Sequence, residues 1–135
     1  MLPRSLLLLA SLFLFAMPSH AKSVEVVKPK LVGLYFHATW CASCKTLDPE
    51  VEKAAASLKK SPFLLVKLDV SNKVTQHQAG MTAAALGYDD IYAETGLKTG
   101  FIILVDTSTG AEVGRISRDD DAATISSKVK ALTKT

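Results

Sequence analysis

Apolar and polar positions follow two rhythms along this chain, and the switches between them mark its elements. The run Leu31-Val32-Gly33-Leu34-Tyr35-Phe36-His37 is apolar on both faces, as a central strand covered by helices on each side should be. Over residues 41–60 the spacing turns helical: Leu47, Val51, Ala54 and Leu58 fall on one face, with Lys45, Glu52, Lys53 and Lys59 left for solvent. Pro49 lies inside that pattern, lacks an N–H and predicts a break there. Ser61-Pro62 closes the segment, and Phe63-Leu64-Leu65-Val66-Lys67-Leu68-Asp69 reads as a second buried strand. Helix formers fill residues 74–86, with Gly87 as a stop.

Residues 87–100 carry no clear rhythm. Gly87, Gly96 and Gly100 supply turn chemistry, and Tyr88 and Tyr92 are either partner contacts in a long connection or core filling. Phe101-Ile102-Ile103-Leu104-Val105 and Ala111-Glu112-Val113-Gly114-Arg115-Ile116, joined by a short polar loop with Gly110, predict a hairpin. Asp119, Asp120 and Asp121 offer caps for a last helix that buries Ala122, Ile125, Val129 and Leu132, with Lys128, Lys130 and Lys134 toward its end. The order strand, helix, strand, helix, hairpin, helix predicts an α/β fold. A right-handed crossover should join its parallel pair.

The first residues follow another logic. Arg4 precedes an uncharged apolar run over residues 6–17, and Ser19-His20-Ala21 places small residues where a signal peptidase reads. Cleavage after Ala21 is expected, leaving residues 22–135 as one domain in a periplasmic or secreted protein. The run is shorter than the ~18 to 20 apolar residues that span a bilayer, so no stable membrane span is expected after cleavage. Val24-Glu25-Val26-Val27 alternates too briefly to separate an edge strand from an extended lead-in, and Pro29 ends either. The formal net charge of +3 is spread along the chain, so nucleic-acid binding has no support.

The only two cysteines stand two residues apart in Thr39-Trp40-Cys41-Ala42-Ser43-Cys44-Lys45, where strand gives way to helix. A disulfide at this spacing staples almost no chain, which argues for a working pair. A thiol at the start of a helix meets unpaired backbone N–H groups and the positive end of the helix dipole, so its thiolate is favoured. Cys41 is therefore the candidate nucleophile. Cys44, a turn away, is the candidate resolving thiol that attacks a mixed disulfide. Lys45 adds positive charge and Ser43 a hydroxyl that could donate to sulfur. The rival readings are a two-thiol copper(I) site on Cys41 and Cys44 in a metallochaperone-type protein, and a partner-binding module regulated by the cysteines. A four-ligand zinc ribbon is excluded, since there is no second cysteine pair.

Trp40-Cys41-Ala42-Ser43-Cys44-Lys45 resembles the active-site signature of the thioredoxin superfamily. Pro49, five residues past Cys44, and Lys67, in the next strand, also match positions that the family favours. The resemblance covers the chain from about Leu31 onward. It implies a thioredoxin-like three-layer sandwich, a central mixed β-sheet flanked by helices, with Cys41 partly exposed at the end of a central strand and Cys44 more buried. It implies protein thiol or disulfide substrates, a docking surface that includes Trp40, and a membrane or periplasmic thiol as electron donor. The redox-active disulfide is then the whole of the chemistry, with no cofactor, and a monomer is expected.

Two positions depart from the family. A proline usually precedes the third core strand, beside the cysteines, where this chain has Thr99-Gly100. Gly100 has access to backbone angles closed to other residues, so the loop is expected to pass close to sulfur all the same. Six residues before Cys41, where thioredoxins often bury an aspartate that takes the proton of the resolving cysteine, stands Tyr35. A tyrosine is no base at neutral pH, so another group or water must serve. His37, on the same strand face, is a candidate for tuning the site, as is Lys67. Ala42-Ser43 lacks the histidine that strong oxidants of the family carry between their cysteines, which favours a reductase or isomerase-like role.

Overall fold

The computed structural model describes residues 28–134; the expected signal peptide and the Val24 to Val27 alternation lie outside them. The sheet is built on β1 (Leu31–His37), every residue of which is buried. Parallel to it runs β2 (Phe63–Asp69), and antiparallel to it β3 (Phe101–Asp106), which in turn pairs antiparallel with β4 (Glu112–Ser117), giving the order β2-β1-β3-β4. A mixed sheet with β1 inside explains why that strand is apolar at both odd and even positions. Gly33 is part of this fit: a Cβ there would come 2.9 Å from the Phe63 ring and 3.0 Å from Ile102 Cγ2.

Helices cover both faces. Side chains on β1 alternate between them: Tyr35 reaches Asp48 in α1 (Ala42–Leu58), while Phe36 stacks on Tyr92 in α3 (Asp89–Thr95), ring centroids 6.1 Å apart. α1 packs against α4 (Ala122–Thr133), tied by Ser57 Oγ to Ser126 Oγ at 2.8 Å and by the Ala122 N–H donated to Glu50 Oε2 at 2.9 Å. On the other face, Tyr92 donates its hydroxyl to the Gln76 carbonyl of α2 (Lys73–Ala85). The result is the three-layer α/β sandwich with a central mixed sheet.

The helical spacing read from the sequence holds in α1, where Leu47, Ala54 and Leu58 are buried. Asp121 caps α4 as expected, accepting from Thr124 N–H, and Asn72 with Thr75 forms a capping box on α2. Two expectations need correction. The helix does not break at Pro49: α1 is continuous through it. Pro49 itself is exposed, and its one missing donor leaves only the Lys45 carbonyl without the usual partner. β2 is not a buried strand. Among the described residues it has a neighbour on one side only, and of its residues only Leu68 is fully buried, with Leu64 43% exposed. Residues 87–100 hold a short helix, α3, which the tyrosines anchor: Tyr88 and Tyr92 are half-buried against the core rather than free for a partner.

Candidate active site

β1 ends at His37, and the turn that follows carries Cys41 to the N-cap of α1, with extended backbone (φ −81°, ψ 112°). Cys41 and Cys44 form a disulfide, their Cα atoms 5.3 Å apart. The Cys44 N–H, one of the helix's unpaired amino-terminal donors, points at Cys41 Sγ at 3.1 Å. Such a donor stabilises negative charge on sulfur, and Cys41 stands at the amino end of the helix, where the sequence placed it. The donor to Cys41 Sγ is this backbone N–H rather than the Ser43 hydroxyl. Cys44 is fully buried, its Sγ 4.0 Å from the Phe36 carbonyl oxygen.

Cys41, expected to be partly exposed, is 6% exposed and so counts as buried, although it remains the more open of the two. The cause is Gly100. Its φ of +92° and its N–H bond to the Phe36 carbonyl at 2.9 Å bring the loop before β3 against the disulfide. A Cβ on Gly100 would stand 3.3 Å from Cys41 Sγ and 2.6 Å from Ser43 Cβ. Glycine thus holds, by absence of a side chain, the place where the family has proline. Thr99 is half-buried beside it and Lys45 is exposed. Trp40 is 59% exposed with its indole N–H bonded to the Ser71 carbonyl at 3.1 Å, so it stands on the surface next to the cysteines instead of packing in the core.

Behind Cys44 lies a polar cluster that the sequence reading recognised only in part. Tyr35 Oη donates to Asp48 Oδ1 at 2.8 Å and lies 3.5 Å from the Cys44 carbonyl. His37 Nε2 meets Asp48 Oδ2 at 3.1 Å. Burial, then the hydrogen bond to Asp48 and its charge, push the Tyr35 hydroxyl far up, so it stays a donor. For Asp48, burial works against the charge, but hydrogen bonds from Tyr35 and His37 and the nearby Lys67 outweigh it and hold the carboxyl below the usual carboxylate range. Lys67 Nζ stands 5.8 Å from the centroid of the Tyr35 ring. Tyr35, His37 and Lys67, named from the sequence as candidates for tuning the site, lie together around Asp48. Asp48 is the member it missed, and the signal was there: Asp48 follows Cys44 by four residues, the spacing that puts two side chains on one helix face.

Among the described residues no three His, Cys, Asp or Glu side chains are grouped to hold a metal ion, so the two-thiol alternative would rest on the sulfurs alone. The model of the Thioredoxin family matches residues 16–83. Over 53 residues, 38% of this chain, the sequence is 44% identical to the protein disulfide isomerase-like 1-2 of Oryza sativa subsp. japonica, of which that stretch covers 10%. The chain thus matches only about a tenth of the length of the curated relatives. Among solved structures, a thiol:disulfide interchange protein of the thioredoxin family from Chlorobium tepidum superposes with a TM-score of 0.55 at 20% identity, over 79% of this chain and 82% of that one. The thioredoxin domain of a thiol-disulfide oxidoreductase from Bacteroides vulgatus gives 0.53 at 18% identity, over 80% and 82%. At such identities the likeness is one of fold.

Proposed function

This chain belongs to the thioredoxin family, and from that premise we propose that it is a thiol:disulfide oxidoreductase acting on protein thiols and disulfides. The observation that carries the reading is the Cys41–Cys44 disulfide at the N-cap of α1, with the Cys44 N–H bonded to Cys41 Sγ. Cys41, 6% exposed against 0% for Cys44, is the sulfur an incoming partner meets first. In the reductive direction the Cys41 thiolate attacks one sulfur of the partner's disulfide. A Cys41–partner bond forms and the other partner sulfur leaves as thiolate. Cys44 then attacks Cys41 Sγ, the internal disulfide closes, and the second partner sulfur leaves reduced. Two electrons have passed from the dithiol to the partner, and a membrane or periplasmic thiol donor returns them. No cofactor beyond the cysteine pair enters this cycle.

Exposed Trp40 and the Thr99-Gly100 loop flank the sulfurs and serve as the docking rim. The leader-like pattern of residues 1–21 supports work outside the cytoplasm, in a bacterial periplasm or as a secreted protein, as a monomer. The direction is reductase-like, because the pair Ala42-Ser43 offers no imidazole to stabilise the Cys41 thiolate further. Equilibrating the purified protein with glutathione buffers under metal-free conditions tests the reading. A reversible two-electron couple at or below about −230 mV supports a reductase, and one near about −120 mV makes the protein an oxidant. With no such couple the oxidoreductase reading fails, and metal titration of the two thiols becomes the next measurement.

A further inference from the structure

Closing the disulfide requires the Cys44 thiol to lose its proton, and Cys44 is fully buried, out of reach of the bulk water that could take it. Tyr35, at the place where an acceptor was sought, is itself a donor with its hydroxyl engaged by Asp48. The other end of the same carboxylate offers a different group. Asp48 can only accept, so His37 bonds to it through a protonated Nε2, and in the neutral ring Nδ1 then carries a bare lone pair. That Nδ1 is the one buried side-chain nitrogen or oxygen among the described residues without a hydrogen-bond partner. A buried acceptor left empty is costly and calls for an explanation in function. His37 directly follows Phe36, whose carbonyl faces Cys44 Sγ, and Asp48 stands one helical turn beyond Cys44 on α1. Chain adjacency thus puts His37 next to the residue whose carbonyl faces the resolving sulfur, and Asp48 one turn along the helix that carries it.

We propose that His37, oriented by Asp48, takes the proton from Cys44 at the resolving step, which rests on the oxidoreductase reading above. In the mixed disulfide, the Cys44 S–H bond breaks and its proton passes to Nδ1. The Cys44 sulfur attacks Cys41 Sγ, the Cys41–Cys44 bond forms, and the bond from Cys41 to the partner breaks, its electron pair leaving on the partner sulfur. Asp48, side chain 35% exposed, balances the imidazolium and opens the pair to solvent, where the proton is released. Asp48 is a positioning residue, and Tyr35 positions Asp48 in turn. The remaining charged groups facing the dyad are Lys67 and Asp69 of β2, the latter paired in register with His37. Lys67 adds to the field that keeps Asp48 ionised.

The test follows both steps at once. The purified, reduced, metal-free protein is mixed with dithiobis-nitrobenzoate: attack by Cys41 releases one thionitrobenzoate, and resolution by Cys44 releases the second. His37→Asn is expected to slow the second release by about a hundredfold at neutral pH and Asp48→Asn by about tenfold or more, with the first release changed by less than about twofold. The double variant should be no slower than His37→Asn alone, since the two act as one unit. Raising the pH should restore the second release in each variant as the Cys44 thiol ionises without help. A second release that keeps its rate in both variants overturns the proposal, as does a slowed one that rising pH does not restore. If the unaltered protein gives only the first release, the oxidoreductase reading falls and this proposal with it.

Discussion

Gly100→Ala tests the packing of the loop against the disulfide. Two effects act at this position. An L side chain at φ +92° enters the left-handed region, which costs about 1–2 kcal/mol. The new methyl also arrives 2.6 Å from Ser43 Cβ and 3.3 Å from Cys41 Sγ. Neither atom is the free end of a flexible chain, because Ser43 sits in the first turn of α1 and Cys41 is tied into the disulfide, so loop or helix must shift. Overpacking of this kind adds about 1–3 kcal/mol. Gly110→Ala separates the two, since its φ is +72° but nothing lies within 4 Å of its missing Cβ. Urea unfolding of both oxidised variants should therefore show Gly100→Ala the less stable by about 1–3 kcal/mol. Equal stability, or a more damaged Gly110→Ala, would refute the argument that the loop presses on the sulfurs.

Tyr35→Phe removes one of the two donors that hold Asp48 ionised, at a carboxylate exposed enough to screen the loss to about 1 kcal/mol at neutral pH. Because the folded-state pKa of Asp48 is lowered, its stabilisation is present above the unfolded value and is lost as pH falls through the folded one. The gap in melting temperature between the variant and the unaltered protein should thus narrow as pH drops from about 5 to about 2, and a constant gap would contradict the assignment. Asn72→Ala removes the acceptor for the Val74 and Thr75 N–H groups and should lower stability by about 1 kcal/mol in urea unfolding, with Asn72→Ser recovering most of it. Cys44→Ser should leave attack by Cys41 intact and stall the cycle, so that a partner with a disulfide stays covalently bound under non-reducing conditions.

The fold was legible where one physical pressure acted alone. Burial on both faces wrote β1 as an unbroken apolar run, and burial on one face wrote Leu47, Val51, Ala54 and Leu58 at helical steps. β2 misled because its sequence is as apolar as that of β1, while its place at the edge of the described sheet is decided by neighbours that a local pattern does not contain. The segment of α3 was illegible because seven residues are too few to show a period, and its anchor, Tyr92 on Phe36, joins positions far apart in the chain. At the site, the cysteines and Gly100 were readable from spacing and from alignment to a familiar signature. Asp48 was hidden in plain view, since a charged residue on a helix reads as solvated until the strand that faces it is known.

That hidden residue also explains why Tyr35 is tolerated on the central strand. A carboxylate at position 35 would be 2% exposed if it took the burial of the tyrosine, and ionised carboxylates are costly to strip of water. Moving the acid to α1 leaves it 35% exposed and still within reach of β1. There Tyr35 fills the buried volume with an aromatic ring and offers only a hydroxyl, which donates to the relocated acid and is kept protonated by the same burial. His37 supplies the second donor, so each carboxylate oxygen has one. The separation has a chemical consequence. An acid held in its ionised form is a poor proton acceptor by itself, which leaves the imidazole bonded to it, with its Nδ1 unpartnered, as the group proposed to take the proton of Cys44.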